Sequence, residues 1–350
     1  MRVLVLLTKF SHHGANGGYK QLIKFVKPKV ELGVDEDREI TKKGIKAKYQ
    51  WLYEFEIRKY AKEIDLIHIM YGEDYFRFSP WLYPNLPIVV TFHQPYESLL
   101  REVRKGDYKG RVGAITHLFT KNRFKKISAA IVTEASQKKA LSEVMDASKI
   151  HVIPLGVHLE AFTKAFEGFV NNGEKKDSRR VITVGNWKRD WNLYRNVVET
   201  CKNLRINIDF HLINRNLNED MKAEFRALGV TVHEGLDDAG LKLEVFRSAL
   251  MFLPVTEASG NNALLESLAL GVPVLMTDVL KEKSSLSESA ISFHKRDDAN
   301  DAITKMKAYF DLSESERETI SDICRSEATQ FDWPVIAART MELYKQVVES

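Results

Sequence analysis

Polar residues and glycines between two apolar runs give the segment Ala249–Asp278 the composition of a phosphate- or sugar-binding site. The runs Met251–Thr256 and Val272–Thr277 predict buried strands, and Asn262–Leu270 predicts a helix after a short polar loop. The start of such a helix presents N–H groups without intrahelical partners, and its dipole favours negative charge. Glu266 lies one turn into the helix, where the leucines already supply the apolar face. The same pattern also occurs in sheets that bind nothing, so both interpretations stay open here.

Other polar residues directly follow predicted strands. Lys188 and Arg189 come after the strand Val181–Val184, where a fixed cation could hold a phosphate or could simply lie in a solvated turn. His93 follows the strand Pro87–Phe92, at the edge where open α/β sheets bind their ligands. A histidine at a strand end is also common as a capped polar residue.

The loop after the first strand contains two glycines and two histidines. Gly17 and Gly18 do not form a G-x-G-x-x-G motif, and no acidic residue follows at the required distance, so a dinucleotide site is not expected. His12 and His13 could ligate a metal ion, but no third ligand has a suitable spacing. The sequence therefore predicts no metal site.

Composition limits the class of protein. The chain has 350 residues, 44% of them hydrophobic, and a net charge of +4, which suits a polyanionic ligand better than a nucleic acid. Cys201 and Cys324 fit no metal-ligand spacing and indicate a reduced, cytoplasmic protein. The N-terminal apolar run is too short for a signal peptide, and no segment reaches the roughly 20 apolar residues of a membrane span.

Strands and helices alternate along the chain, which predicts parallel sheets covered on both faces. The pattern is interrupted by a polar, charged stretch that is typical of a linker. We therefore expect an N-terminal Rossmann-like domain over residues 1–165, a linker over 166–180 and a second Rossmann-like domain over 181–330.

Five segments, taken in order, carry a family resemblance: VVTFHQP (Val89–Pro95), KIHVIPLGVHLEAF (Lys149–Phe162), VITVGNWKRDW (Val181–Trp191), NALLESLALGVPVLMTDV (Asn262–Val279) and FDWPVIAARTMELY (Phe331–Tyr344). Together they resemble the GT-B glycosyltransferases, particularly the large retaining family 4 that uses nucleotide-sugar donors. The resemblance covers nearly the whole chain.

The resemblance implies an α/β fold with two doubly wound domains facing a central cleft and a C-terminal helix, 331–350, that crosses back to the first domain. It implies a donor site that needs neither a metal ion nor a cofactor, and a glycan or lipid-linked acceptor on the first domain. Glu266 would bind the ribose hydroxyls, and His93 would bind the donor sugar. The remaining expected donor contacts are Gly17, Gly18, Lys188, Arg189, Gly260, Asn261 and Asn262.

One position departs from the family pattern. The family commonly has two glutamates eight positions apart, but Ala258 stands eight residues before Glu266, and the glutamate is one position earlier, at Glu257. Glu257 could replace the missing group, or the segment Gly260–Asn262 could do so. We expect Glu257 to contribute to catalysis together with His93, Lys188 and Arg189.

The segment Arg101–Lys126 combines nine basic residues with apolar residues at roughly helical spacing. This pattern predicts contact with an anionic membrane or a lipid-linked acceptor, or else a core-facing helix with a solvated basic face. The corresponding location is the cytoplasm, with or without peripheral contact at the inner face of the membrane.

Three functions are compatible with these patterns. The leading one is a retaining glycosyltransferase. A nucleotide-sugar epimerase of the same architecture and a non-catalytic nucleotide-sugar-binding subunit are the alternatives, and the alanine at position 258 motivates the last.

Overall fold

A computed structural model describes residues 1–10, 18–35, 47–105, 122–279 and 286–350. The chain divides into two compact units. Unit 1 comprises Met1–Gly156 together with Trp333–Ser350, and unit 2 comprises Val157–Asp332.

The described part of unit 1 is built on six parallel strands in the order β2-β1-β3-β4-β5-β6. The sequence predicts all of them except β2, where glutamate, glycine and aspartate interrupt the apolar run. The strands are β1 (Val3–Lys9), β2 (Val30–Asp35), β3 (Leu66–Ile69), β4 (Ile88–Phe92), β5 (Ala129–Val132) and β6 (Ile150–Val152).

The described helices in the N-terminal part of unit 1, residues 1–156, have ten residues or fewer. The sequence predicts one helix over Ile45–Ile64, but its described part consists of a 3-10 turn, a single α-helical turn and a second 3-10 turn. The buried Glu54 carboxylate accepts hydrogen bonds from the backbone of residues 77–79, so tertiary contacts prevail over helical regularity here. The helices are α1 (Leu22–Val26), α2 (Tyr53–Glu56), α3 (Gly72–Tyr75), α4 (Ser79–Leu82), α5 (Tyr96–Lys105) and α6 (Ala135–Leu141).

The C-terminal helix, Trp333–Glu349, belongs to unit 1, as the family resemblance implies. Its Tyr344 hydroxyl lies 2.5 Å from Nδ1 of His68 on β3, and Nε2 of His68 lies 2.7 Å from Oγ1 of Thr91 on β4. Both ring nitrogens of a buried histidine are therefore used to join this helix to the sheet.

This buried histidine predicts a pH dependence of stability. Burial lowers the pKa of His68 to about 3, whereas the unfolded chain protonates it near pH 6.5. Between these two values only the unfolded state binds the proton, so the contribution of His68 to the free energy of unfolding should fall as the pH falls from 6.5 and should not change above it. Denaturant titrations of wild type and His68→Gln across pH 4–8 check this, because the variant should lose part of the slope. Equal slopes would contradict it.

A glycine allows the chain to pass the first residue of the C-terminal helix. A Cβ atom on Gly156 would lie 2.4 Å from Cδ2 of the buried Trp333. We therefore expect Gly156→Ala to lower the free energy of unfolding by about 1–3 kcal/mol, the usual effect of overpacking. Gly168→Ala is the matched control, because it meets open space inside a helix and should gain about 0.5–1 kcal/mol. Thermal melts that shift both variants in the same direction would contradict the prediction.

Unit 2 is a second parallel sheet, whose described strands have the order β12-β11-β10-β7-β8-β9. The strands are β7 (Asp177–Val184), β8 (Asp209–Ile213), β9 (Thr231–His233), β10 (Ser248–Leu253), β11 (Val274–Thr277) and β12 (Ile291–His294). The helices are α7 (Leu159–Asn171), α8 (Trp191–Asn203), α9 (Glu219–Ala227), α10 (Asp238–Phe246), α11 (Asn262–Ala269), α12 (Ala299–Phe310) and α13 (Glu314–Ala328).

The predicted linker over 166–180 is wrong. Helix α7 and the start of β7 occupy this segment within unit 2, and the rings of Phe166 and Phe169 pack 5.5 and 5.2 Å from Phe246. Glu174 forms a 2.8 Å ion pair with Arg247. The segment is polar because much of it is exposed, and the chain passes between units at Gly156 and again at Asp332 rather than at residues 165 and 330.

Candidate functional site

The loop from β10 to α11 has the predicted form. Helix α11 begins at Asn262, and Oδ1 of Asn261 accepts hydrogen bonds from the N–H groups of Ala263 (3.0 Å) and Leu264 (3.4 Å). Gly271 has a φ of 66° and ends the helix, as expected for a glycine at this place. The Asn261 side chain is thus engaged as a cap, and its contact with a donor sugar stays a prediction.

Glu266 is a partly buried acid on this helix. Among the residues that the structure describes, its carboxylate has no hydrogen-bond partner. Burial raises the pKa of Glu266 to about 7, opposed by the positive charge of Lys242 and supported by the negative charge of Asp238. Packing does not explain a carboxyl group in this position, whereas a ligand with hydroxyl groups does.

The loops after β7 and β10 are joined beside this helix. The N–H group of Thr256 donates to the carbonyl of Lys188 at 2.9 Å, and Nζ of Lys188 lies 3.0 Å from Oε2 of Glu257. The Glu257 carboxylate and the Lys188 ammonium group thus form an ion pair. The sequence predicts a role for each residue but not this contact between them. Ala258, at the family's usual glutamate position, is buried.

Arg189 has a different environment from Lys188. Its Nε and Nη2 atoms donate to the carbonyl of Val184 at 3.0 and 2.6 Å, and Nη1 donates to the carbonyl of Trp187 at 3.3 Å. Burial lowers the pKa of Arg189 to about 10. The guanidinium therefore stabilises the end of β7, and its predicted contact with phosphate stays a prediction.

Two asparagines that the sequence analysis missed lie at the same sheet edge. Asn186 follows β7 and Asn214 follows β8, and Nδ2 of Asn214 donates to Oδ1 of Asn186 at 3.3 Å. Asn214 is buried. Their position directly after strands was the available signal, because the carboxyl ends of parallel strands form the ligand edge of such sheets.

In unit 1, His93 lies at the corresponding edge. Its Nε2 atom is 2.8 Å from the Met70 carbonyl, and its ring centroid is 4.7 Å from those of both Tyr19 and Tyr71. Burial lowers the pKa of His93 to about 4, so the ring is neutral at pH 7. A neutral, fixed imidazole can bind a hydroxyl group, which fits the predicted role better than nucleophilic attack.

Glu73 is a second residue that sequence reasoning missed. It lies in α3, just after β3, and its Oε2 accepts the N–H group of His93 at 3.5 Å. Burial raises the pKa of Glu73 to about 8. An acid that retains its proton near neutral pH beside His93 can donate a hydrogen bond to a polar ligand.

The glycine loop is described only at its end. Gly18 has a φ of 77° and precedes the 3-10 turn that leads into α1, at the carboxyl end of β1. Gly17, His12 and His13 lie outside the described residues, so the predictions for them stay predictions.

The basic segment Arg101–Lys126 is described only in part, because residues 106–121 lie outside the described ranges. Arg123 is buried, forms a 2.9 Å ion pair with Glu102, and stacks over the rings of Phe76 and Phe124. Counting this arginine in an exposed basic surface was therefore wrong, because aromatic faces and a buried carboxylate hold it in the core. Among the described residues, no helix has the length and apolar character needed to cross a membrane.

Comparison with solved structures identifies the fold. HepE of Anabaena in complex with UDP is 13% identical, with a TM-score of 0.69 over 99% of this chain and 100% of that chain. Sucrose-phosphate synthase of Thermosynechococcus elongatus is 14% identical, with a TM-score of 0.72 over 99% of both chains. A UDP-forming trehalose-phosphate synthase of Burkholderia xenovorans is 10% identical, with a TM-score of 0.68 over 99% of both chains.

These neighbours place the chain in the fold class of the GT-B glycosyltransferases, which confirms the fold class predicted from the sequence. Within that class, residues 30–161 match the family model described as Glycosyltransferase Family 4. The resemblance to the GT-B glycosyltransferases that the five sequence segments carry is thereby confirmed at the level of the fold, with the family model matching residues 30–161. A search of curated proteins found no match to the chain.

Proposed function

We propose that the protein transfers a sugar from a nucleotide-diphosphate sugar to a glycan or lipid-linked acceptor, with retention of anomeric configuration. The observation that carries this proposal is the partly buried Glu266 carboxyl group, which has no hydrogen-bond partner among the described residues and is held on the helix that begins at the ligand edge of unit 2. Bidentate carboxylates suit the two adjacent hydroxyls of a ribose. Structural neighbours solved with UDP or UDP-glucose support a nucleotide-sugar donor.

Departure of a nucleoside diphosphate leaves negative charge on phosphate and develops positive charge on the anomeric carbon. Fixed cations and N–H donors at the phosphates therefore give the largest expected rate effect. Lys188, at the carboxyl end of β7, and the N-terminus of α11 supply them. Glu257 holds the Lys188 ammonium in place and is assigned to the side of the donor sugar.

The first unit is assigned to the acceptor and to the transferred sugar. His93 and Glu73 provide a neutral imidazole and a protonated carboxyl group at one sheet edge, with Tyr19 and Tyr71 around them. Such a set can bind hydroxyl groups without carrying a negative charge. Contact of Arg101–Lys126 with an anionic membrane would bring a lipid-linked acceptor to this unit.

A panel of nucleotide sugars tests the proposal. The full-length protein is incubated with each one, and NMR follows donor cleavage and the anomeric configuration of the first product. Retention in the product, or slow hydrolysis of one donor when no acceptor is present, is the expected result. Inverted products would contradict retention, and the absence of binding and cleavage for every donor would contradict the function.

The two alternatives give different outcomes in the same experiment. An epimerase would invert a sugar hydroxyl without any acceptor, and this would appear as a new nucleotide sugar. A binding subunit would bind one donor without turnover. Ala258 motivates this second alternative, because the family's usual glutamate is absent at that position while Glu266 is present.

A further inference from the structure

A cluster of two histidines and two carboxylates lies in unit 2, on elements that the proposed reaction does not use. Asp209 and His211 are on β8, His233 is the last residue of β9, and Glu244 is on α10. The spacings between these four residues in the sequence match no metal-binding motif. Strand pairing brings them together, since His211 pairs with Thr231 and Ile213 with His233.

Three donor atoms converge at this point. Nδ1 of His211 lies 2.8 Å from Nε2 of His233, and Nε2 of His233 lies 3.4 Å from Oε2 of Glu244. All three atoms lie within 4.8 Å of one another. Two histidine nitrogens and a carboxylate oxygen are typical ligands of a zinc-type ion.

The second nitrogen of His211 supports this interpretation independently. Its Nε2 atom lies 2.8 Å from Oδ2 of Asp209. When Nε2–H donates to that carboxylate, the neutral ring has its lone pair on Nδ1, and this nitrogen accepts the Nε2–H of His233 at 2.8 Å. A metal ion bound to both nitrogens would take the place of that proton. A carboxylate that fixes the ring of a histidine in this way is the usual outer partner of a metal-ligating histidine.

Two arginines contact the same carboxylate and must be reconciled with a cation. Arg180 donates to Oε2 of Glu244, and its Nη2 also lies 3.5 Å from Nε2 of His233. Nη1 of Arg247 lies 3.2 Å from Oε1 of Glu244. An ion bound to Nε2 of His233 would replace the contact of that nitrogen with Arg180. A carboxylate oxygen has two lone pairs, so Oε2 can ligate an ion while it keeps the bond to Arg180. Arg247 also forms an ion pair with Glu174. The two guanidinium groups are therefore balanced against three carboxylates, Asp209, Glu174 and Glu244, which leaves one negative charge in excess.

We propose that His211, His233 and Glu244 bind a divalent transition-metal ion of the zinc type, with Asp209 as the residue that orients His211 and with water as the fourth ligand. The side chains are about one-tenth to one-sixth exposed, which leaves access for the ion and for that water. The ion would join β8, β9 and α10 by direct ligation.

Binding of an ion at this site would affect the rest of unit 2 through α10. This helix carries both Asp238 and Lys242, whose charges act on Glu266. An ion that fixes α10 therefore also fixes the electrostatic environment of Glu266. The proposed site is structural, and no step of sugar transfer passes through it.

Cobalt titration tests the site. The full-length protein is treated with a chelator, dialysed and titrated with Co²⁺, whose visible absorption reports tetrahedral nitrogen and oxygen ligands. We expect one bound equivalent, displacement by Zn²⁺ and a higher melting temperature with either ion. His211→Ala and His233→Ala should abolish the absorption, and Asp209→Asn should weaken binding about 10- to 100-fold.

His151→Ala is the matched control, because this half-buried histidine is on β6 of unit 1, and the variant should bind Co²⁺ like wild type. Circular dichroism establishes that each variant is folded. A wild-type protein that binds no stoichiometric Co²⁺ would overturn the proposal without any variant. Binding that survives in folded His211→Ala and His233→Ala proteins would also overturn it.

Discussion

Sugar transfer by a Lys188→Ala variant is expected to be about 10²- to 10³-fold slower in kcat than transfer by the wild type. The ammonium group is held 3.0 Å from Glu257 at the carboxyl end of β7, so it can meet a departing diphosphate without first being ordered. A cation that is fixed before the reaction stabilises the charge of the transition state more than that of the bound donor. The effect should therefore appear mainly in kcat rather than in KM.

The measurement uses the donor identified by the nucleotide-sugar panel, with initial rates at saturating acceptor. Lys307→Ala is the matched control, because this exposed lysine is on α12 and its loss should leave kcat unchanged. Unfolding midpoints of both variants should stay close to that of the wild type, since the Lys188–Glu257 pair is partly exposed and weak in stability terms. A Lys188→Ala enzyme with an unchanged kcat would remove this residue from the proposed mechanism.

The helix α11 shows how much of the site the sequence could predict. Its first residue, the glycine after its end and the carboxylate one turn inside all follow from local rules on capping, dipoles and side-chain spacing. Apolar runs likewise predicted most strands to within a few residues. Local patterns suffice for these features because neighbours in sequence determine them.

Features that depend on pairing between distant segments could not be predicted in this way. β2 is interrupted by polar residues and exists as a strand because it pairs with β1. The segment 166–180 is polar but belongs to unit 2 through the packing of Phe166 and Phe169. To predict that Asn214 and Glu73 lie at the ligand edge, one must know which strands end there. The sequence shows that strands and helices alternate, but it does not show how the strands are ordered in the sheet.

Glu266→Gln is expected to weaken binding of the cognate nucleoside diphosphate about 10- to 100-fold. A hydrogen bond to a charged group contributes roughly 1.5–3 kcal/mol, and the amide retains the shape of the side chain but accepts through only one oxygen. Calorimetric titration with UDP, GDP and ADP identifies the nucleotide that binds the wild type and then compares the variant. Glu318→Gln, an exposed change on α13, is the control and should bind like wild type.

The same substitution should have the opposite effect on stability. Burial raises the pKa of Glu266 to about 7, so between pH 4.5 and 7 the unfolded chain loses the proton while the folded protein keeps it. The contribution of Glu266 to stability falls across this window as the pH rises, and above pH 7 the folded protein carries an ionised, partly buried group at a cost of roughly 3 kcal/mol. Glu266→Gln avoids this cost, so at pH 8 the variant should unfold at higher denaturant concentration than the wild type.

Together, the two measurements separate a ligand-binding carboxylate from a structural one. A group kept for ligand binding gives a variant that is more stable and binds less well. The wild-type affinity should fall as the pH is lowered through 7, because protonation removes the negative charge and turns one of the two acceptor oxygens into a donor. The affinity of Glu266→Gln should lack this pH dependence. A variant that is less stable at pH 8, or one that binds the nucleotide as tightly as the wild type, would show that Glu266 serves the fold instead of the donor.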